Sequence, residues 1–204
     1  TKTNGIILKY GKGADGNFPL KENNVSFVFS GSMPTTSQIN PDEAKTELLE
    51  YLKNSKNILY IAFSSGLSGT YQSGVIAANE IMEEDSEANI VVIDTVSASL
   101  GEGLILHKAV ELRDQGKSMK EVEEYIRANL LHQCSVFTVD SLFHLYRGGR
   151  VSKATAVIGT MINIKPLLHI NDEGKLINIG KCRGRKKSLS SLCDLMEERL
   201  GEYK

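Results

Sequence analysis

Short unbroken apolar runs alternate along this chain with longer stretches in which apolar residues recur every three or four positions. Ile58-Leu59-Tyr60-Ile61-Ala62 and Val91-Val92-Ile93 are runs of the first kind, the pattern of strands covered on both faces. The periodicity predicts helices over 42–53, 70–82, 100–115 and 120–131, with strands over 58–63 and 90–94 between them. In the first of these helices the apolar positions include Ala44, Leu48, Leu49 and Leu52. Strands that alternate with helices imply a parallel sheet. From Cys134 the pattern changes. Residues 135–139 read as a strand, and 142–145 and 153–162 as short helices broken at Gly148-Gly149. Residues 164–170 and 175–181 read as strands joined by the turn signal Asp172-Glu173-Gly174, and strands joined so tightly are antiparallel. Residues 188–200 read as an amphipathic helix carrying Leu189, Leu192, Leu195, Met196 and Leu200. The expected fold class is α/β: a parallel-sheet α/β/α first domain over 1–133, then a mixed-sheet α+β domain over 134–204.

Composition narrows this picture. A chain of 204 residues can bury one large core or two smaller ones. It contains no apolar run long enough to span a bilayer, and Thr1-Lys2-Thr3-Asn4-Gly5 does not read as a signal peptide. Cys134, Cys182 and Cys193 are odd in number and lack C-x-x-C spacing, so neither a disulfide framework nor a zinc site is expected. A reducing, cytoplasmic location follows as the expectation. The net charge of −1 hides a skew: residues 141–187 carry ten basic residues against Asp172 and Glu173, a local net of +8. Such a skew speaks to partners rather than to fold.

The candidate chemistry lies in three hydroxyl-rich loops. The first, Phe63-Ser64-Ser65-Gly66-Leu67-Ser68-Gly69-Thr70, follows a strand and opens a helix. In open α/β sheets ligands sit at the carboxyl ends of strands, and free N–H groups at a helix start favour an anion. Ser65, Ser68 and Thr70 add uncharged donors; Ser65 or Ser68 is equally suited to be a plain N-cap. The second loop, Gly31-Ser32-Met33-Pro34-Thr35-Thr36-Ser37-Gln38, precedes the helix opened by Asn40-Pro41-Asp42, and the topology allows it to meet the first. The third, Asp94-Thr95-Val96-Ser97-Ala98-Ser99, reads as an Asp or Ser cap for the next helix. Arg147-Gly148-Gly149-Arg150 reads either as a helix C-terminus or as an anion contact. Lys181-Cys182-Arg183-Gly184-Arg185-Lys186-Lys187 leads into a helix start, where positive charge is unfavourable, and so points to an acidic partner.

Four motifs occur in order: Pro34-Thr35-Thr36-Ser37-Gln38, Ser64-Ser65-Gly66-Leu67-Ser68-Gly69-Thr70-Tyr71-Gln72, Arg147-Gly148-Gly149-Arg150-Val151-Ser152-Lys153 and Arg183-Gly184-Arg185-Lys186-Lys187. The set resembles the DegV family of bacterial fatty-acid-binding proteins, from about Gly31 onward. The resemblance implies a two-domain, DegV-like protein that holds one long-chain fatty acid as its ligand and needs no cofactor or metal. It implies a carrier rather than an enzyme, which presents the acid to a partner fatty acid kinase for acyl phosphate formation. By resemblance, Thr36 and Ser68 bind the carboxylate, with Ser65 and Thr35 as second choices. Arg150, Arg183, Arg185 and Lys186 are the expected partner or anion contacts. A monomer, transient contact with a membrane surface and no nucleic-acid binding complete the expectation. Family members open with a strand and an Asp-Ser-Thr turn, and continue past a region like Leu200 to a carboxylate-binding histidine. His107, His132, His144 and His169 do not match that motif, so the chain reads as a fragment or a divergent member.

Two other readings compete. A serine-dependent acyl hydrolase or transferase would use Ser68 or Ser65, but Gly66-Leu67-Ser68-Gly69 misses the Gly-x-Ser-x-Gly spacing and no histidine with an orienting acid is evident. A regulatory nucleic-acid binder would use the basic run, which lacks interleaved aromatics for base stacking. No Walker motif or HExxH pattern is present.

Overall fold

The computed structural model describes residues 6–7, 38–152 and 163–200. The helix expected over 153–162, and Thr35 and Thr36, lie outside the described residues. The first half is a parallel sheet in the order β1 (Ile6–Ile7), β2 (Asn57–Ala62), β3 (Asn89–Asp94). The two-residue β1 is absent from the sequence reading, because two apolar residues carry no measurable period.

Side chains alternate across β2 and β3, and the burial follows. Ile58, Ala62, Ile90 and Val92 pack with Ala44 and Leu48 of α1 (Pro41–Leu52) and with Ala77, Ala78 and Ile81 of α2 (Thr70–Glu84). On the other face Leu59, Ile61 and Ile93 pack with Ile105, Ala109 and Leu112 of α3 (Leu100–Asp114) and Val122 and Ile126 of α4 (Met119–Asn129). This is the helix–sheet–helix arrangement that uniformly apolar strands require. Capping boxes fix the starts of α1 (Asn40 with Glu43) and α4 (Ser118 with Glu121).

The second half is an antiparallel sheet in the order β4 (Val136–Phe137), β5 (Ile164–Ile170), β6 (Leu176–Arg183). The strand expected over 135–139 shrinks to β4. The β5–β6 hairpin turns at Asp172-Glu173-Gly174, where Gly174 takes a φ of 71° and its N–H bonds Asn171 O at 2.8 Å. One face of this sheet buries Leu168 against Leu142 and half-buried Tyr146. The other carries α6 (Arg185–Leu200), tied to β6 by Cys182 Sγ to Ser191 Oγ at 3.3 Å. The helix starts three residues earlier than its apolar spacing indicates, because buried Ser188 closes its first turn on Arg185 O at 2.8 Å. Arg185, Lys186 and Lys187 therefore form the first turn of α6 rather than its approach.

Between β4 and β5 in the chain comes α5 (Phe143–Arg147). Gly149 takes a φ of 78°, its N–H bonds Tyr146 O at 2.9 Å, and Arg150 N bonds Leu145 O at 2.9 Å. This is a Schellman termination, which needs a left-handed residue that glycine fills without strain. The helix-end reading of Arg147-Gly148-Gly149-Arg150 is thus realised, and the motif also directs Arg150 away from the helix.

Candidate functional site

The loop after β2 is built from the inside outward. Ser64 is fully buried: its N–H bonds Ser97 O at 2.9 Å, and its Oγ donates to Gly174 O at 2.8 Å. Gly66 N returns a bond to Ser64 Oγ at 3.2 Å. A Cβ on Gly174 would overlap Ser64 Oγ, and one on Gly66 would overlap the Glu173–Gly174 backbone. The hairpin turn of the second sheet therefore locks directly onto the loop of the first. Sequence reading singled out Ser65 and Ser68 and passed over Ser64; the signal was two glycine-bearing turns that pack only without side chains.

Ser64 O then accepts Leu67 N and Ser68 N, each at 3.1 Å, so the loop coils and carries Ser68 inward. Ser68 and Thr70 are half-buried, and their hydroxyl oxygens lie 2.8 Å apart. Thr70 N also donates to Ser68 Oγ at 3.3 Å. Within the pair one hydroxyl donates to the other, and the accepting hydroxyl keeps its own proton for a further acceptor. Gly69, not a serine, is the N-cap of α2 and makes no side-chain cap bond. Ser65 is exposed; its N–H, rather than its hydroxyl, is engaged, with Asp94 Oδ1 at 3.1 Å.

Gln38 closes the second hydroxyl-rich stretch of the sequence. Its Oε1 accepts Gly69 N at 2.9 Å. The stretch bearing Thr35 and Thr36 ends at this residue. The third loop does not cap α3 as expected. Ser99 occupies the N-cap position at a φ of 55° with no side-chain bond, and Val96 has a φ of 44°. Such backbone costs about 1–3 kcal/mol per residue and is held by its surroundings. Here the holders are Asp94 Oδ1, which accepts Val96 N at 2.9 Å, and fully buried Thr95, whose Oγ1 donates to Ala62 O at 2.8 Å. Asp94 thus ties the first and third loops together.

Asp94 and Arg150 bring one charge of each sign to the loop. Glu102, in the first turn of α3, is 5 % exposed, and burial pushes its carboxyl up to about 7. Tyr60 is pushed up to about 12 by burial first and by the Glu102 charge second. Arg150 reaches the loop from the second half, its Nε donating to Leu67 O at 3.0 Å. His132 Nδ1 pairs with Asn129 Oδ1 at 3.1 Å and His144 Nδ1 with Arg147 Nη2 at 2.9 Å, so neither ring is turned to a loop serine. Arg183, Arg185 and Lys186 are exposed and lie apart from this site in sequence and contact. Arg185 comes within 4.0 Å of Asp140, whose nearer partner is Lys165 at 2.9 Å. Among the described residues no group of His, Cys, Asp and Glu is placed to hold a metal, and no helix is long and apolar enough to cross a membrane.

Comparison with known proteins agrees with this architecture. The family model of DegV proteins matches residues 21–204. A DegV domain-containing protein of Clostridium perfringens is 46 % identical over 170 residues, covering 83 % of this chain and 58 % of that relative. The chain therefore spans less than two thirds of the relative's length. A DegV family protein of Thermus thermophilus, described as binding fatty acid, superposes with a TM-score of 0.72 at 34 % identity, over 84 % of this chain and 59 % of that one. The Streptococcus pneumoniae fatty acid kinase B3 protein loaded with linoleic acid superposes with a TM-score of 0.74 at 28 % identity, over 83 % and 59 % of the two chains.

Proposed function

The chain belongs to the DegV family, and from that premise we propose that it binds one long-chain fatty acid and presents it to a partner kinase. The observation that carries the reading is the bond from Gly69 N to Gln38 Oε1. It ties Gln38, the residue that closes the sequence stretch bearing Thr35 and Thr36, to the hydroxyl-rich loop at the carboxyl end of β2, where an α/β sheet receives its ligand. Ser68, with Thr70 beside it, offers an unspent hydroxyl proton to a carboxylate. Thr36 is the proposed second ligand, with Ser65 and Thr35 as alternates. Ser65 is the weaker of the two serines, because its side chain is exposed.

The energetics favour such a ligand. Burying a sixteen- to eighteen-carbon tail yields on the order of 11–13 kcal/mol before ordering costs. An unpaired buried carboxylate would cancel much of that, and hydroxyl donors prevent the loss. The proposed kinase contact is the basic surface at Arg183, Arg185 and Lys186. Arg185 and Lys186 crowd the first turn of α6, where the helix dipole opposes them and no acidic residue shares the turn, and Arg183 ends β6 two residues before it. Arg150 lies apart from this surface, its Nε donating to Leu67 O.

Titration calorimetry with palmitate tests the site. Thr36→Val and Ser68→Ala are each expected to weaken binding by about 1.5–3 kcal/mol while circular dichroism shows an intact fold. Unchanged affinity in both variants contradicts it.

A further inference from the structure

Ser97 carries a polar group that the fold leaves unanswered. Its main chain is paired: the N–H donates to Thr95 Oγ1 at 3.3 Å, and the carbonyl accepts Ser64 N at 2.9 Å. The side chain is only 4 % exposed, and its Oγ has no hydrogen-bond partner among the described residues. A buried hydroxyl left so is costly. Two more polar side chains come close. Gln133 Nε2 donates to Ser135 Oγ at 2.8 Å, so the Ser135 proton is free for another acceptor. A Cβ on Gly101, in the first turn of α3, would lie 2.3 Å from Ser97 Oγ, 2.4 Å from Gln133 Nε2 and 2.5 Å from Ser135 Oγ. The three groups thus converge beside that turn. They also line a cavity of about 20 Å³, with Asn171 and Asp172 of the β5–β6 turn opposite the third loop in sequence and in half.

We propose that this cavity is a binding site for one water molecule, which bridges Ser97 Oγ to the Gln133–Ser135 pair and so completes the joint between the two halves. A single water needs roughly 10–15 Å³ and two to four polar partners. One water fits here, whereas a carboxylate or a phosphate does not. Asp172 brings a negative charge to the wall, which disfavours a small anion as the occupant. The bridge has a mechanical consequence. Val96 and Ser99 flank Ser97 at φ values of 44° and 55°, and such backbone persists only where its surroundings hold it. The water adds a holder to Asp94 and Thr95. The inference is independent of the fatty-acid reading.

A high-resolution crystal structure of the chain, grown with bromide in place of chloride, tests the site directly. The expected result is one ordered peak within hydrogen-bond distance of Ser97 Oγ and of Gln133 or Ser135, with no anomalous signal. No peak there, or a peak with the anomalous signal of bromide, overturns the proposal. Ser97→Ala gives a second test, whose sign decides. Where a water answers the hydroxyl, the substitution removes a satisfied bond, and the thermal midpoint is expected to fall by about 2–4 °C. Where none does, the substitution removes a buried orphan, and the midpoint rises. A midpoint that rises or stays put overturns the proposal. Where Ser97→Ala fails to fold, the wild-type density decides alone.

Discussion

Glu102 is the side chain whose burial makes its own pH demand. Its folded-state carboxyl lies near 7, against an ordinary value of 4.5, because burial penalises the charged form. The folded chain therefore holds this proton where the unfolded chain releases it. Stability contributed by the group is fully present below about 4.5 and is lost as pH rises to about 7. Glu102→Gln removes that dependence. Its thermal midpoint is expected to exceed the wild type's at pH 8 and to match it near pH 4.5; equal midpoints at both would show that Glu102 is not held against its charge. At this scale the sequence was partly legible. Hydroxyls at the end of β2 raise the expectation of an anion site by type. Gln38 stood in a quoted motif without a role, and Arg150 had a role but the wrong neighbours, because hydrogen bonds spanning 31 and 83 residues leave no local pattern.

Elements follow the apolar period where they are long. The strands β2 and β3 alternate between two cores and were readable to within a residue. Short elements were less so: β1 escaped the reading, and β4 keeps two of the five residues expected over 135–139. The start of α6 was misplaced because polar Ser188, not a leucine, is its buried residue. Turns carry clear expectations. Gly149→Ala forces a side chain into the left-handed region and is expected to cost about 1 kcal/mol, read as a lower denaturation midpoint. Gly174→Ala is expected to cost more, because strain at a φ of 71° adds to overlap with Ser64. A Gly174→Ala variant no less stable than Gly149→Ala would mean that the hairpin does not clamp the loop.

Across the whole molecule, net positive charge is concentrated over residues 141–187, while the hydroxyl-rich loops belong to the first half. The composition disclosed that skew before any fold was known; it did not disclose that the hairpin at Gly174 and the guanidinium of Arg150 stitch the halves together. Exposed cations act chiefly on association rate and are screened within about 8–10 Å at physiological salt. Arg185→Glu with Lys186→Glu is therefore expected to slow association with a cognate fatty acid kinase and to leave palmitate affinity nearly unchanged. A double variant that lost palmitate and kept the kinase would place the basic run in the ligand site. The central claim, a carrier for one fatty acid, is tested most directly by native mass spectrometry of the chain after incubation with an equimolar mixture of palmitate, stearate and hexadecanol. The account predicts a single added mass matching one fatty acid, reduced in Ser68→Ala. A chain that stays at its bare mass, or takes up the alcohol as readily as the acids, would contradict it.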